Sequence, residues 1–401
     1  MATLPVLPLG ATVAIGFGSR GRVIIAVNSA WNLLNFRAGL IRGLVAAGYE
    51  VVAVAPPDAY VPQLAVLGCR FVSLAIDNQG KHPGRDFLLL WRFYVLLRRE
   101  RPDVYLGYTV KPNVYGSLAA HILGIPVINN ITGLGSVFIQ NSWLTYLVRV
   151  LYRLALSRSA KVFFQNNDDR QIFILEGLVA QSITDRLPGS GIDLTKFTLA
   201  PLPGRSSIRF LLIARMLWDK GVGEFVEAAR LLKRRGINAD FCLLGFLEVQ
   251  NPAAISRKQM DDWVEEGVVR YLGVSNDVRS EIYLADCVVL PSYREGTPRT
   301  LLEAAAMGRP IVTTDSVGCR EVVDDGVNGY LCRLKDAIDL AEKMNMIVSL
   351  SSEAREVMGL RGRKKVESEF DERTVINKYL EAISSILRSQ ESALAKQPLP
   401  K

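Results

Sequence analysis

The sequence predicts two α/β domains in series, each a parallel sheet wound on both faces by helices. Three observations carry this. The chain has 401 residues, whereas a single core stops growing near ~250–300 residues. Short β-branched runs alternate with longer stretches of helical period, the pattern of strands linked by crossover helices. Midway lies a loop rich in Pro, Gly and Ser, from Leu187-Pro188-Gly189-Ser190-Gly191 to Pro201-Leu202-Pro203-Gly204-Arg205, after which the alternation restarts. The expected boundaries are 22–190 for the first domain, 206–370 for the second and 371–388 for a closing helix, with 1–21 and 389–401 as flexible ends.

In the first domain 22–27 reads as a strand, 35–48 as an amphipathic helix and 50–56 as the next strand, which closes one right-handed unit. A helix over 87–101, a strand over 103–109, a helix over 113–126, a strand over 126–131, a long helix over 142–161 and a strand over 161–166 follow. The second domain repeats the scheme. Strands are expected at 208–214, 240–245, 268–273, 288–292 and 310–315, with helices between them up to Gly308. The closing helix carries Val375, Ile376, Tyr379, Leu380, Ile383, Ile386 and Leu387 at helical spacing.

Composition removes several classes. With 49% apolar and 22% charged residues, the chain is far from the composition of disordered segments, so it folds. Cys69, Cys242, Cys287, Cys319 and Cys332 lack any C-x-x-C spacing and mostly have apolar neighbours; they read as buried thiols of a reducing compartment. No run reaches the ~18 apolar residues that cross a bilayer. The apolar start contains Pro5 and Pro8 and lacks an early basic region, against a secretory signal. The expected location is cytoplasmic.

The formal charge of +8 is unevenly placed: residues 1–190 hold 18 basic and 10 acidic side chains, and residues 191–401 hold 30 of each. The whole excess therefore belongs to the first domain. Its basic residues are interleaved with bulky aliphatics and match no nucleic-acid motif, so nucleic acid is not the expected partner.

Chemistry concentrates in two segments of the second domain. Pro291 to Pro310 follows a predicted strand at the carboxyl end of the sheet, where doubly wound folds bind ligands. Gly296-Thr297-Pro298 leads into a helix whose start favours an anion, and Glu295 and Glu303 bracket the same place with acceptor-only groups suited to sugar hydroxyls. The second segment, Ile213 to Gly221, places Arg215 and Lys220 after another strand. A guanidinium fork and an ammonium there suit a phosphate. Taken singly, each segment also reads as an ordinary charged helix start.

Together, Arg215, Lys220-Gly221, Glu295 and Glu303 with seven residues between them, and Gly326-Val327-Asn328-Gly329 resemble the C-terminal domain of retaining glycosyltransferases of family 4. The front-half segments 28–37, 108–116 and 128–135 are similar to the branch that elongates lipid-linked saccharides, including the diacetylbacillosamine N-acetylgalactosaminyltransferases. The resemblance implies a GT-B fold, with two Rossmann-like domains facing across a cleft and the last helix crossing back onto the first. It implies that Arg215 and Lys220 hold the diphosphate of a UDP-sugar donor, that Glu303 accepts from the ribose hydroxyls, that Glu295 contacts the transferred sugar, and that Gly296, Thr297 and Pro298 border the phosphate. Arg215, Lys220 and Glu295 are the expected catalytic set. No metal or cofactor is expected, and the chain contains no D-x-D.

The resemblance also assigns the first domain to the acceptor, a polyprenyl-diphosphate-linked saccharide, with Asn28, Trp31, Asn35, Lys111, Thr132 and Gly133 lining its side of the cleft. Trp31 reads either as a sugar platform or as a packing aromatic, and Lys111 either as a diphosphate ligand or as a rim charge. Many members carry a histidine where Thr132 stands here, and the two histidines, His82 and His121, fall elsewhere. The helices over 87–101 and 142–161 are rich in both apolar and basic residues. Packing against the sheet explains one apolar stripe on each; the remainder fits docking on the anionic inner face of the cell membrane. Two alternatives remain: a non-hydrolysing nucleotide-sugar 2-epimerase, which shares the architecture, and a catalytically silent sugar-nucleotide-binding or scaffold subunit of a polysaccharide assembly complex.

Overall fold

The computed structural model describes residues 19–77, 83–134, 143–205 and 207–395. The first domain runs β1 (Arg22–Ala26), α1 (Ala30–Phe36), α2 (Ala38–Ala46), β2 (Glu50–Ala55), α3 (Val61–Leu64), β3 (Arg70–Ser73), α4 (Pro83–Glu100), β4 (Val104–Tyr108), α5 (Ser117–Ile122), β5 (Val127–Ile131), α6 (Trp143–Leu156), β6 (Lys161–Phe164), α7 (Asn167–Leu175) and β7 (Thr184–Arg186). The second runs β8 (Ile208–Ile213), α8 (Val222–Arg234), β9 (Ala239–Leu244), α9 (Arg257–Glu265), β10 (Arg270–Tyr271), α10 (Arg279–Tyr283), β11 (Cys287–Leu290), α11 (Arg299–Ala306), β12 (Ile311–Thr314), β13 (Gly329–Cys332), α12 (Ala337–Ser349) and α13 (Ser352–Glu369), and the chain closes with α14 (Glu372–Ala395).

Both sheets are parallel throughout. The first has the order β3-β2-β1-β4-β5-β6-β7 and the second β10-β9-β8-β11-β12-β13. Helices cover both faces, so the central strands are continuous apolar runs: Val23 to Val27 and Val51 to Ala55 are all buried. In each sheet the chain starts centrally, winds outward one way, then returns to wind the other way. The reversal lies between β1 and β4 and between β8 and β11, and the loops leaving those strands diverge to form a crevice. This is the two-domain architecture the sequence predicts.

Several elements differ in detail. The single helix expected from Asn35 is two helices: α1 starts at Ala30, with Ser29 capping it by accepting from the Asn32 N–H at 3.2 Å, and the chain breaks at Arg37 before α2. The helix expected over 113–126 opens with one π-helical turn, Pro112–Gly116. There the buried Tyr105 hydroxyl donates to the Pro112 carbonyl at 2.9 Å, and its ring occupies the space a side chain at Gly116 would need. The helical start at Pro298 moves by one residue, with Pro298 as the cap of α11. The sequence reading leaves 320–371 without assigned elements, and β13, α12 and α13 fill it.

The closing helix reaches Ala395, beyond the expected end at residue 388, so 389–395 are helical where a flexible end was expected. Val375, Tyr379 and Ile383 of α14 are buried in the same core as Val23, Ile25 and Leu106 of the first domain. The chain thus crosses between domains twice, and the crossings clasp: the Ile192 N–H donates to the Phe370 carbonyl at 2.8 Å and the Glu372 N–H to the Ile192 carbonyl at 3.1 Å. The cysteines make no disulfide; four are buried, and Cys69 is half-buried. Residues 1–18 and 396–401, His82 and Gly135 lie outside the described residues.

Candidate active site at the domain cleft

The site grows from the two loops that leave β8 and β11. The β8 loop carries Arg215 and ends in a short turn, Trp218–Lys220. Gly221 then adopts a left-handed conformation, φ 71°, and any Cβ there would collide with the Pro291 carbonyl of the β11 loop. Only glycine brings these loops so close. They are stitched together: the Tyr293 N–H donates to the Asp219 carbonyl at 2.9 Å, and the Tyr293 hydroxyl to Glu224 Oε1 of α8 at 2.6 Å. Across this seam Lys220 Nζ forms an ion pair with Glu295 Oε1, with side-chain exposures of 18% and 17%. Cys319 lies behind the pair, its thiol pushed up to about 11 by burial and by the Glu295 carboxylate, and so inert.

Glu303 sits on α11. Its side chain is mostly buried, and Arg299, one turn earlier, donates from Nε to Glu303 Oε1 at 2.9 Å. Burial raises the carboxyl above its ordinary range, and the Arg299 charge works in the opposite direction. Arg299 also leans across the cleft, with its guanidinium carbon 5.6 Å from the ring centre of Phe36 in the first domain. Arg215 is exposed and makes no ion pair among the described residues.

The first domain meets this wall closely. A Cβ at Gly296 would collide with the Thr132 carbonyl, and Gly133, φ 134°, lies against the Gly296 backbone from the other side. Trp31 touches Phe36 edge-on at 5.4 Å and reaches over the cleft to Phe246, which follows β9, at 6.2 Å. Asn35 Nδ2 donates to the Trp31 carbonyl at 2.9 Å, and Asn28 Oδ1 accepts from Asn32 Nδ2 at 3.3 Å; both amides thereby take part in the start of α1. Lys111 forms an ion pair of 2.8 Å with Asp86 of α4.

The structure therefore brings Lys220, Glu295, Gly296, Thr132 and Gly133 together, and sets Trp31 and Glu303 on the same cleft through Phe36 and Arg299. It places Lys111 on the α4 side. His121 is half-buried on α5, its Nε2 2.8 Å from the Ala155 carbonyl. Sequence reasoning missed Arg299, although its place four residues before Glu303 on a helix carries the signal. It also missed Phe246 and the first-domain residues Gln165, Asn166 and Asp169, for which no local pattern exists.

Known proteins resemble both domains. Residues 36–184 match the glycosyl transferase 4-like domain and residues 207–349 the glycosyl transferases group 1. Among relatives, the N,N'-diacetylbacillosaminyl-diphospho-undecaprenol alpha-1,3-N-acetylgalactosaminyltransferase of Campylobacter jejuni is 29% identical over 378 residues, covering 89% of this chain and 97% of its own. The UDP-Gal:alpha-D-GlcNAc-diphosphoundecaprenol alpha-1,3-galactosyltransferase of Escherichia coli is 26% identical over 69% of this chain and 71% of its own. Among solved structures, Anabaena HepE in complex with UDP-glucose superposes with a TM-score of 0.75 at 18% identity, covering 91% of this chain and all of its own. The two parallel sheets, the crossing last helix and both family matches lead to one assignment: the chain belongs to the family 4 glycosyltransferases, a hexosyltransferase on the GT-B fold.

Proposed function

We propose that the protein moves a sugar, an N-acetylhexosamine, from a UDP-sugar to a polyprenyl-diphosphate-linked saccharide, with retention at the anomeric carbon and without a metal ion. The observation that carries this reading is the Lys220–Glu295 pair at the β8/β11 switch point, directly beside the Thr132–Gly133 corner of the other domain. The relatives support the acceptor, for both named above act on sugars linked to diphospho-undecaprenol. The UDP donor is supported by the HepE complex and by the name of the galactosyltransferase.

In this reading the donor diphosphate enters beside Lys220, and Arg215 swings from solvent to meet it. The start of α11 adds backbone N–H groups and the positive end of a helix. Glu303 accepts from the ribose hydroxyls, and Glu295 holds the transferred sugar. The bond from C1 to the diphosphate oxygen breaks with both electrons leaving on the phosphate. The acceptor hydroxyl oxygen bonds to C1 from the same face and gives its proton to the departing phosphate oxygen, so no protein base is required. The charge that develops on the diphosphate is met by side-chain cations, the role a divalent ion plays in other sites. Calorimetry with UDP and GDP tests the donor assignment: UDP binds, GDP binds more weakly, and Lys220→Ala loses both. Equal UDP affinity in Lys220→Ala contradicts it.

The proposed membrane contact has a defined surface. α4 packs on α5 and α5 on α6, and their outward faces expose Phe87 (72%), Trp91 (56%), Ile122 (65%) and Tyr146 (72%), with Val95, Val150 and Leu154 between. Arg92, Arg98, Arg99, Arg153 and Arg158 are exposed around them. Among the described residues of α4 and α6, the only carboxylates are Asp86 and Glu100, each taken by an arginine or lysine. An apolar face with a cationic border complements an anionic bilayer, where a lipid-linked acceptor resides.

A further inference from the structure

The loop that carries Glu295 is shaped from the other domain as much as from its own. Where β6 turns into α7, the Gln165 carbonyl accepts from Thr297 Oγ1 at 3.1 Å, Asn166 Nδ2 donates to the Gly296 carbonyl at 3.1 Å, and Asp169 pairs with Arg294. Asp169 is fully buried and held rigidly: its N–H donates to Asn166 Oδ1 at 2.8 Å, and its carboxylate accepts from Asn166 Nδ2 at 3.1 Å. Burial disfavours its charge, and the counter-charge comes from the second domain. The two charges of this pair come from different domains, so the pair exists only while the domains meet. Arg294 immediately precedes Glu295, so whatever fixes Arg294 fixes the start of the Glu295–Thr297 turn.

We propose that Asp169 is a positioning residue for the donor site: through Arg294 it sets the turn that receives the donor, so the site is complete only when the two domains are in contact. This rests on the donor assignment made above. Asn166 and Gln165 share the task, each holding one residue of the turn. The consequence is a coupling between domains, because donor affinity becomes a property of the closed cleft and not of the second domain alone.

The test is a double-mutant cycle on the full chain, with UDP affinity by calorimetry and donor KM and kcat read separately. Asp169→Asn keeps the contacts to Asn166, and Arg294→Gln removes the partner. Each is expected to weaken UDP binding about tenfold and to raise donor KM accordingly, with the double variant no weaker than the worse single one. Arg294→Lys retains most of the affinity. Singles that bind UDP as wild type does, or a double whose losses multiply, overturn the proposal. Should Asp169→Asn fail to fold, Arg294→Gln and Arg294→Lys decide alone: a tenfold loss in the first, restored in the second, supports it, and any other pattern overturns it. Failure of the wild type itself to bind UDP instead overturns the donor assignment.

Discussion

Lys220 and Glu295 stand 75 positions apart in sequence and form an ion pair across the seam between the β8 and β11 loops. The pair holds the two loops of the switch point in register, and it keeps an ammonium at the place where the fold receives ligands. Under the proposed donor assignment, the donor diphosphate competes with Glu295 for that ammonium.

The two partners should therefore fail differently. Removing an ionised hydrogen-bond partner typically costs ~1.5–3 kcal/mol, so Lys220→Ala is expected to weaken UDP roughly 10- to 100-fold. Glu295→Gln frees the ammonium and should leave UDP affinity within a few-fold of wild type while transfer falls. Calorimetry beside steady-state kinetics separates the two.

Arg299→Ala strands the buried Glu303 carboxylate. The pair is partly exposed, at 17% and 12%, so the loss at pH 7 is on the order of 2 kcal/mol, below that of a fully buried pair. Burial already holds the Glu303 carboxyl above its usual range. A raised acid is neutral in the folded state at pH values where the unfolded chain is ionised. The unfolded chain then binds fewer protons, and stability falls as pH rises through that window. With Arg299 removed the window widens upward, so the deficit relative to wild type should shrink as pH falls from 7 to 5. Chemical denaturation at both pH values checks it; a deficit independent of pH contradicts it.

Gly296→Ala places a methyl group against the Thr132 carbonyl and the Gln165 side chain. Each sheet has its own core, so thermal unfolding should change little. Cleft closure should suffer, with kcat/KM down at least tenfold on the scale of a site misplaced by about 1 Å.

Each basic residue near an anionic bilayer contributes roughly 1 kcal/mol. Changing Arg92, Arg98 and Arg99 together to Gln should therefore lower affinity for phosphatidylglycerol vesicles by about 100-fold at low salt, and by less at high salt. Vesicle co-sedimentation measures this, with Trp91→Ser as a salt-independent control on the apolar part. Unchanged binding in the triple variant shows that the arginines are surface charge alone.

The fold was legible in the sequence because both sheets are buried on two faces: strands such as Val23 to Val27 advertise themselves as short apolar runs between helical periods. The central halves were the clearest, and the edges were not. β10 is two residues long, and α13 distributes its buried positions Met358, Gly359, Gly362 and Val366 with two glycines among them, which leaves little apolar signal. The proposed donor wall could be read from the sequence as a candidate because Arg215, Lys220, Glu295 and Glu303 lie on the segments that follow strands β8 and β11 and lead into helices. The cleft's other half was less legible. Phe246, Asp169 and Gln165 reach the site through contacts between residues more than 100 positions apart, and no spacing rule encodes them. Lys111 reads from the sequence as either a diphosphate ligand or a rim charge, and its ion pair with Asp86, 25 positions earlier, is a contact no spacing announces.

The most direct test supplies the protein with radiolabelled UDP-N-acetylhexosamines and a polyprenyl-diphosphate-linked saccharide in chelator, then partitions the reaction between water and organic solvent. The account predicts that one label moves into the organic phase at full rate without added metal, and that Lys220→Ala leaves it in the water. Label that stays aqueous for every donor, moves only once magnesium is restored, or moves equally well with Lys220→Ala contradicts it.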